Sequence, residues 1–101
     1  MQRIELGKTP PDWRVVTTTK RSQAAIMVIS PGDKEGGPDN RHDSDQWLFV
    51  VDGRGSATVE GEEVELEPGV LLLVEKGEEH EVRADAGVEL RTLNVYAPPE
   101  Y

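Results

Sequence analysis

The chain contains no cysteine, which excludes a disulfide framework, a thiolate metal site and a thiol nucleophile. Basic charge is scarce. Eleven Lys and Arg stand against twenty Asp and Glu, for a net charge of -9. A surface of that sign repels phosphate backbones and anionic lipids, so no nucleic-acid partner and no membrane partner is expected. Long hydrophobic runs are missing too. The longest, Ala24 to Ile29, is six residues, far short of the roughly 20 that span a bilayer. The opening stretch MQRIELGKTPPDW has no apolar run and does not read as a signal peptide. Apolar residues nowhere recur at three- and four-residue spacing for two turns, so no helix is expected. No Lys-Ser/Thr pair follows the glycines at 53 and 55, which excludes a phosphate loop. What is left, at 101 residues with 36% hydrophobic and 31% charged, is one small, acidic domain over residues 1–101, expected in the cytoplasm.

Ten Gly and seven Pro cut the chain into short extended pieces. Strands are expected at Trp13 to Thr19, Ala24 to Ser30, Trp47 to Val51, Ser56 to Glu60, Glu63 to Glu67, Val70 to Val74, His80 to Ala84 and Val88 to Tyr96. Pro31-Gly32, Asp52-Gly53, Gly61, Pro68-Gly69 and Asp85-Ala86-Gly87 supply the turns. Glu63, Glu65 and Glu67 alternate with Val64 and Leu66, so this acidic run is the solvated face of a hairpin. Turns at roughly eight- to twelve-residue intervals, without crossover helices, describe an antiparallel sandwich or closed barrel. The segment Pro31 to Arg41, rich in Gly, Asp, Asn and Lys, reads as one long loop and a lid over the barrel mouth. Pro98 and Pro99 end the ordered part. Gly53 and Gly55 are expected in a tight turn with positive φ.

The chain has two histidines, His42 and His80, each at the start of an apolar strand. Side chains two apart share a strand face, so an extended segment puts Asn40, His42, Ser44 and Gln46 on the face that Leu48 and Val50 continue. Asp43 and Asp45 then point to solvent. His42, Asp43 and Ser44 are adjacent and face alternate ways, so they form no catalytic triad. Met27, Leu48, Phe49, Val50, Val82, Asn94 and Tyr96 are the expected walls of a pocket. Leu90, Thr92, Asn94 and Tyr96 share one strand face and Leu93 and Val95 the other; alternation alone leaves open which is interior. Trp47 alternates outward from Gln46, toward either a subunit contact or cover by the N-terminal strand. Glu75, Glu78, Glu79 and Glu81, around His80, read as a solvated loop.

This stretch resembles the first motif of the cupin superfamily: Gly, five residues, His, any residue, His, three or four residues, Glu, six residues, Gly. Gln46 stands at the Glu position with Gly53 at the closing Gly, His42 at the second His, Asn40 at the first, and Lys34 at the opening Gly. Gly69, Gly77 and His80 match the second motif in spacing, with Glu75 in place of its Pro and Ala84 in place of its Asn. The phrases SDQWLFVVDGRG and LNVYAPPEY also resemble small single-domain cupins. The resemblance implies an all-β double-stranded β-helix, or jelly-roll barrel, with a divalent metal (Fe, Mn, Ni, Cu or Zn) at one end. Carried over, the metal set is Asn40, His42, Gln46 and His80. It further implies a homodimer and either a metal-dependent enzyme, as in cupin dioxygenases, isomerases and decarboxylases, or a non-catalytic small-molecule binding or sensing module. Amide oxygens are neutral and donate more weakly than carboxylate, so an ion here keeps its full charge and attracts an oxygenated or anionic ligand. A Gln46→Glu change is then expected to tighten divalent metal binding.

Overall fold

The computed structural model describes residues 1–6, 13–37 and 39–101. Among them lie nine strands and no helix: β1 (Trp13–Thr18), β2 (Gln23–Ile29), β3 (Lys34–Gly36), β4 (Asp45–Asp52), β5 (Gly55–Val59), β6 (Glu62–Leu66), β7 (Leu71–Val74), β8 (His80–Ala84) and β9 (Leu90–Ala97). They build two sheets, ordered β1-β2-β9-β4-β7 and β3-β8-β5-β6, with every pairing antiparallel. This is the antiparallel all-β architecture that the spacing of turns describes, in the double-stranded β-helix form that the motif resemblance implies.

Period-two patterning explains why the sheets close on each other. In β9, Leu90, Thr92, Asn94 and Tyr96 are buried while the residues between them are half-exposed. That settles which face of this strand is interior. In β4, Gln46, Leu48 and Val50 are buried while Trp47, Phe49 and Val51 face outward. Met27, Ile29, Leu48, Val50, Ala57, Leu66, Val82, Ala84 and Leu90 form one core between the sheets. Each large aliphatic buried there contributes about 1.5–3 kcal/mol, which is how a chain with few apolar residues holds together. The acidic hairpin is as expected: Leu66 is buried, Val64 packs against the core, and Glu63 and Glu65 are exposed. Its turn has positive φ at both Glu60 and Gly61 (47° and 80°), the two-residue geometry whose twist matches that of the strands it joins.

Four sequence expectations change. The segment Pro31 to Arg41 is not all loop, since Lys34–Gly36 pairs with β8 (Glu35 opposite Val82); three residues with no apolar member carry no strand signal. Residues 40–44 are not extended; β4 starts at Asp45. Gly53 has the expected positive φ of 91°, but Gly55 does not. Gly55 sits where a side chain would lie 2.1 Å from the Arg83 carbonyl, so close approach of β8 and not turn geometry demands glycine. Glu81 is half-buried, ion-paired with Lys34 and Arg83, instead of lying in a solvated loop.

Candidate metal and ligand cavity

One end of the barrel holds a cavity of about 90 Å³. Its floor is made by Gln46 of β4, His80 and Val82 of β8, and Met27 and Tyr96 of the long sheet. Asn40 and His42 enter from the loop before β4, and Glu35 and Gly36 from β3. The loop is pinned to the second sheet by backbone bonds: the His80 amide donates to the Asn40 carbonyl at 3.1 Å, and the Gly77 amide to the His42 carbonyl at 2.9 Å. Motif residues far apart in sequence thereby meet, and the His42 and His80 rings stand edge to face with centroids 4.6 Å apart.

The hydrogen bonds specify how each group is presented. His80 Nδ1 lies 3.0 Å from the Glu78 carbonyl. A carbonyl only accepts, so Nδ1 carries the proton and Nε2 keeps its lone pair. That lone pair meets Asn40 Nδ2 at 3.2 Å, and the same amide donates to the His80 carbonyl at 3.3 Å. His42 Nε2 lies 3.3 Å from the Tyr101 hydroxyl. Two buried side-chain atoms, His42 Nδ1 and Gln46 Oε1, make no hydrogen bond of good geometry, although Gln46 is near enough to His42 to act on it as a hydrogen-bonding neighbour. Burial, and then the neighbouring His80, holds the His42 imidazole below its ordinary pKa of 6.5, against smaller opposing effects of Glu100 and Gln46. It is therefore neutral at pH 7 and able to act as a ligand. The Tyr96 phenol, buried and next to Tyr101, is pushed far above the usual range and stays protonated.

The tail after Pro99 does not trail off: Tyr101 folds back to line the cavity mouth. Gln23 grips its backbone, accepting from the Tyr101 amide at 2.9 Å and donating to the Tyr101 carbonyl at 2.6 Å. Glu100 accepts from the Asp43 amide at 3.1 Å and the Ser44 hydroxyl at 2.7 Å. The Tyr101 ring then packs edge-on against Trp13 and Tyr96, with centroids 4.8 and 5.2 Å away. Sequence reasoning missed Trp13, Glu35 and Tyr101 as cavity residues, and no periodic signal marks them.

Of the expected residues, Asn40, His42, Gln46 and His80 converge on this cavity, and Met27, Val82 and Tyr96 line it. Leu48 and Val50 do not line it. They sit further along β4 and fill the core. Asn94 stands behind Gln46, bonded to it at 2.9 Å. Phe49 is 40% exposed on the outer face, as its odd position in the alternation requires. Trp47 is 42% exposed, so it is not covered by the N-terminal strand. From the Pro31 to Arg41 segment, Glu35, Gly36 and Asn40 line the cavity, and Tyr101 of the tail lines it beside them.

Two antiparallel sheets packed face to face, with imidazoles and amides gathered at one end, define the class of double-stranded β-helix barrels. Residues 25–96 match the Cupin domain model, and the chain belongs to that family. The chain is 37% identical over 54 residues to an L-ectoine synthase from Hyphomonas neptunium, covering 52% of this chain and 40% of that protein. It thus spans well under half the length of that curated relative. Among solved structures, an RmlC-like cupin from Desulfovibrio desulfuricans superposes with a TM-score of 0.83 at 17% identity, over 98% of each chain. KdgF from Halomonas sp. superposes with a TM-score of 0.78 at 24% identity, over 87% of this chain and 78% of that one. At these identities the two structures establish the fold.

Proposed function

We propose that this chain is a single cupin domain that uses the cavity to hold a divalent metal ion and, on it, a small oxygenated or anionic molecule. The observation that carries the reading is the pair of buried, unpartnered polar atoms, His42 Nδ1 and Gln46 Oε1, in the same cavity as the His80 imidazole. Buried polar atoms without partners are costly unless something satisfies them. The donor set fits Fe, Mn, Ni, Cu or Zn, with His42, His80 and Gln46 as the main ligands and Asn40 as the fourth. The described residues hold no group of three or more His, Cys, Asp or Glu that could bind a metal ion, so this set, two imidazoles and two amides, depends on its neutral amide oxygens. A bound ion supplies Lewis-acid polarisation of a substrate oxygen and, keeping its two charges, favours a carboxylate or enolate. The protein's own contributions are then distinct. Tyr101 and Trp13 line the mouth with aromatic surface, and neutral Tyr96 offers a hydrogen bond. The relative named for synthesis of L-ectoine supports a small molecule as the ligand.

A second reading, binding or sensing without turnover, is favoured by size. The cavity of about 90 Å³ is small beside the about 300–1,000 Å³ of ordinary ligand pockets. The homodimer belongs to the same proposal. Trp47 and Phe49 stand opposite Leu73 and Leu71 in register, and with Val51 they make an exposed apolar patch on the outer face of the five-stranded sheet, near its β7 edge. Elemental analysis of untagged, dialysed protein tests the metal reading: about one transition metal per chain is expected, and none after titration refutes it. Metal-loaded protein that consumes no small anionic substrate, yet shifts its melting temperature with one, selects the binding reading.

A further inference from the structure

Behind the cavity three buried polar side chains stand in a row, where an apolar trio would fill the same space with no hydrogen-bond requirement. The Thr92 hydroxyl donates to the Met27 carbonyl at 3.0 Å. Asn94 Nδ2 donates to Thr92 Oγ1 at 2.9 Å, and Gln46 Nε2 donates to Asn94 Oδ1 at 2.9 Å. Thr92 and Asn94 are completely buried, and Gln46 is nearly so. The direction of this row follows from its deep end. The Met27 carbonyl can only accept, so the single Thr92 proton is committed to it. Thr92 Oγ1 can then only accept, which turns the Asn94 NH2 toward it and leaves Asn94 Oδ1 facing Gln46. That oxygen in turn demands the Gln46 NH2, so Gln46 Oε1 is the atom left over, and it is the one without a partner.

We propose that Thr92 and Asn94 are positioning residues whose hydrogen bonds aim the Gln46 carbonyl oxygen into the cavity as a fixed, neutral donor. The inference rests on the metal reading for the identity of its ligand, but the amide orientation belongs to the metal-free protein. It also explains why an amide sits where the family motif has Glu: a carboxylate at this position has no proton to give Asn94 Oδ1. The expectation for Gln46→Glu changes accordingly, because the gain of an anionic ligand is offset by a lost buried hydrogen bond and two oxygens forced together.

The test compares wild type, Thr92→Val and Thr92→Ser as full chains. Valine keeps the shape and removes the hydroxyl. Asn94 then has no acceptor at Thr92 and turns its NH2 to Gln46, whose oxygen follows, leaving Gln46 Nε2 in the cavity. In metal-free protein, NMR exchange of the Gln46 side-chain NH2 is expected to be slow in wild type and Thr92→Ser and to lose protection in Thr92→Val. Titration with Co(II) alone is expected to show affinity reduced roughly tenfold or more in Thr92→Val and held near wild type in Thr92→Ser. Thr92→Ala removes the same hydroxyl and carries the same expectation should the valine variant not fold. Wild-type Co(II) binding with an unaffected Thr92→Val overturns the positioning role and leaves the metal reading standing. No Co(II) uptake by wild type, with the exchange pattern as expected, overturns the metal reading and keeps the orientation.

Discussion

Gly36 is the point where β3 passes closest to the cavity residues, and replacing it with Ala is a quantitative test of that packing. Gly36 has φ +89°, and a Cβ there would lie 2.5 Å from the His80 carbonyl oxygen, 2.7 Å from Asn40 Nδ2 and 3.3 Å from Glu81 Cα. Two costs add. A left-handed backbone costs an L-residue about 1–2 kcal/mol. Displacing the Asn40 amide from the His80 carbonyl and the β3 backbone from β8 costs about 1–2 kcal/mol more. At about 4 °C per kcal/mol for a domain of this size, the melting temperature should fall by roughly 8–16 °C. Gly32→Ala is the internal control. Its φ is +77° and a Cβ there meets nothing within 4 Å, so only the backbone cost applies, about 4–8 °C. Circular dichroism melts of metal-free protein measure both. If the two variants melt within about 2 °C of each other, the crowding at Gly36 is not what the geometry states, and the reasoning that ties β3 to the cavity fails.

Three further outcomes are expected. The His42 pKa lies below its unfolded value, so the stability it contributes is present above pH 6.5 and is lost as pH falls through the folded pKa. Metal-free wild type should therefore lose more melting temperature between pH 7 and pH 5 than His42→Gln does, and parallel pH profiles would contradict the burial of this imidazole. His80→Ala should lower metal content sharply with unchanged far-ultraviolet circular dichroism; wild-type metal content in that variant would remove His80 from the ligand set. Trp47→Ser should convert a dimer to monomer in sedimentation velocity, and an unchanged dimer would place the subunit contact elsewhere.

How much of this was legible varies with the physics involved. The alternation Gln46, Leu48, Val50 against Trp47, Phe49, Val51 predicts faces directly, because side chains two apart must share one. Turn chemistry at Asp52-Gly53 and Gly61 likewise marks where strands end. The short strand β3 was hidden because its three residues, Lys34, Glu35 and Gly36, are exposed, and their pairing with β8 is a property of the partner strand. Which interior residues face the cavity was hidden as well. Leu48 and Gln46 share a face, yet depth along the barrel puts one in the core and the other at the mouth.

By itself the sequence determined an antiparallel all-β fold, through short alternating strands and turn residues, and its resemblance to the cupin motifs marked His42, Gln46 and His80. The motif spacing works because it counts residues up to the starts of two strands, β4 and β8, which lie at the same end of the barrel. Tertiary structure decided the rest. Tyr101 and Trp13 come from opposite ends of the sequence and meet only because β1 and β9 both flank β2. Gln46 Oε1 faces the cavity because the Met27 carbonyl, two strands away, sets the direction of every hydrogen bond between them. Contacts of that kind depend on which strands become neighbours, and no local pattern of residues encodes them.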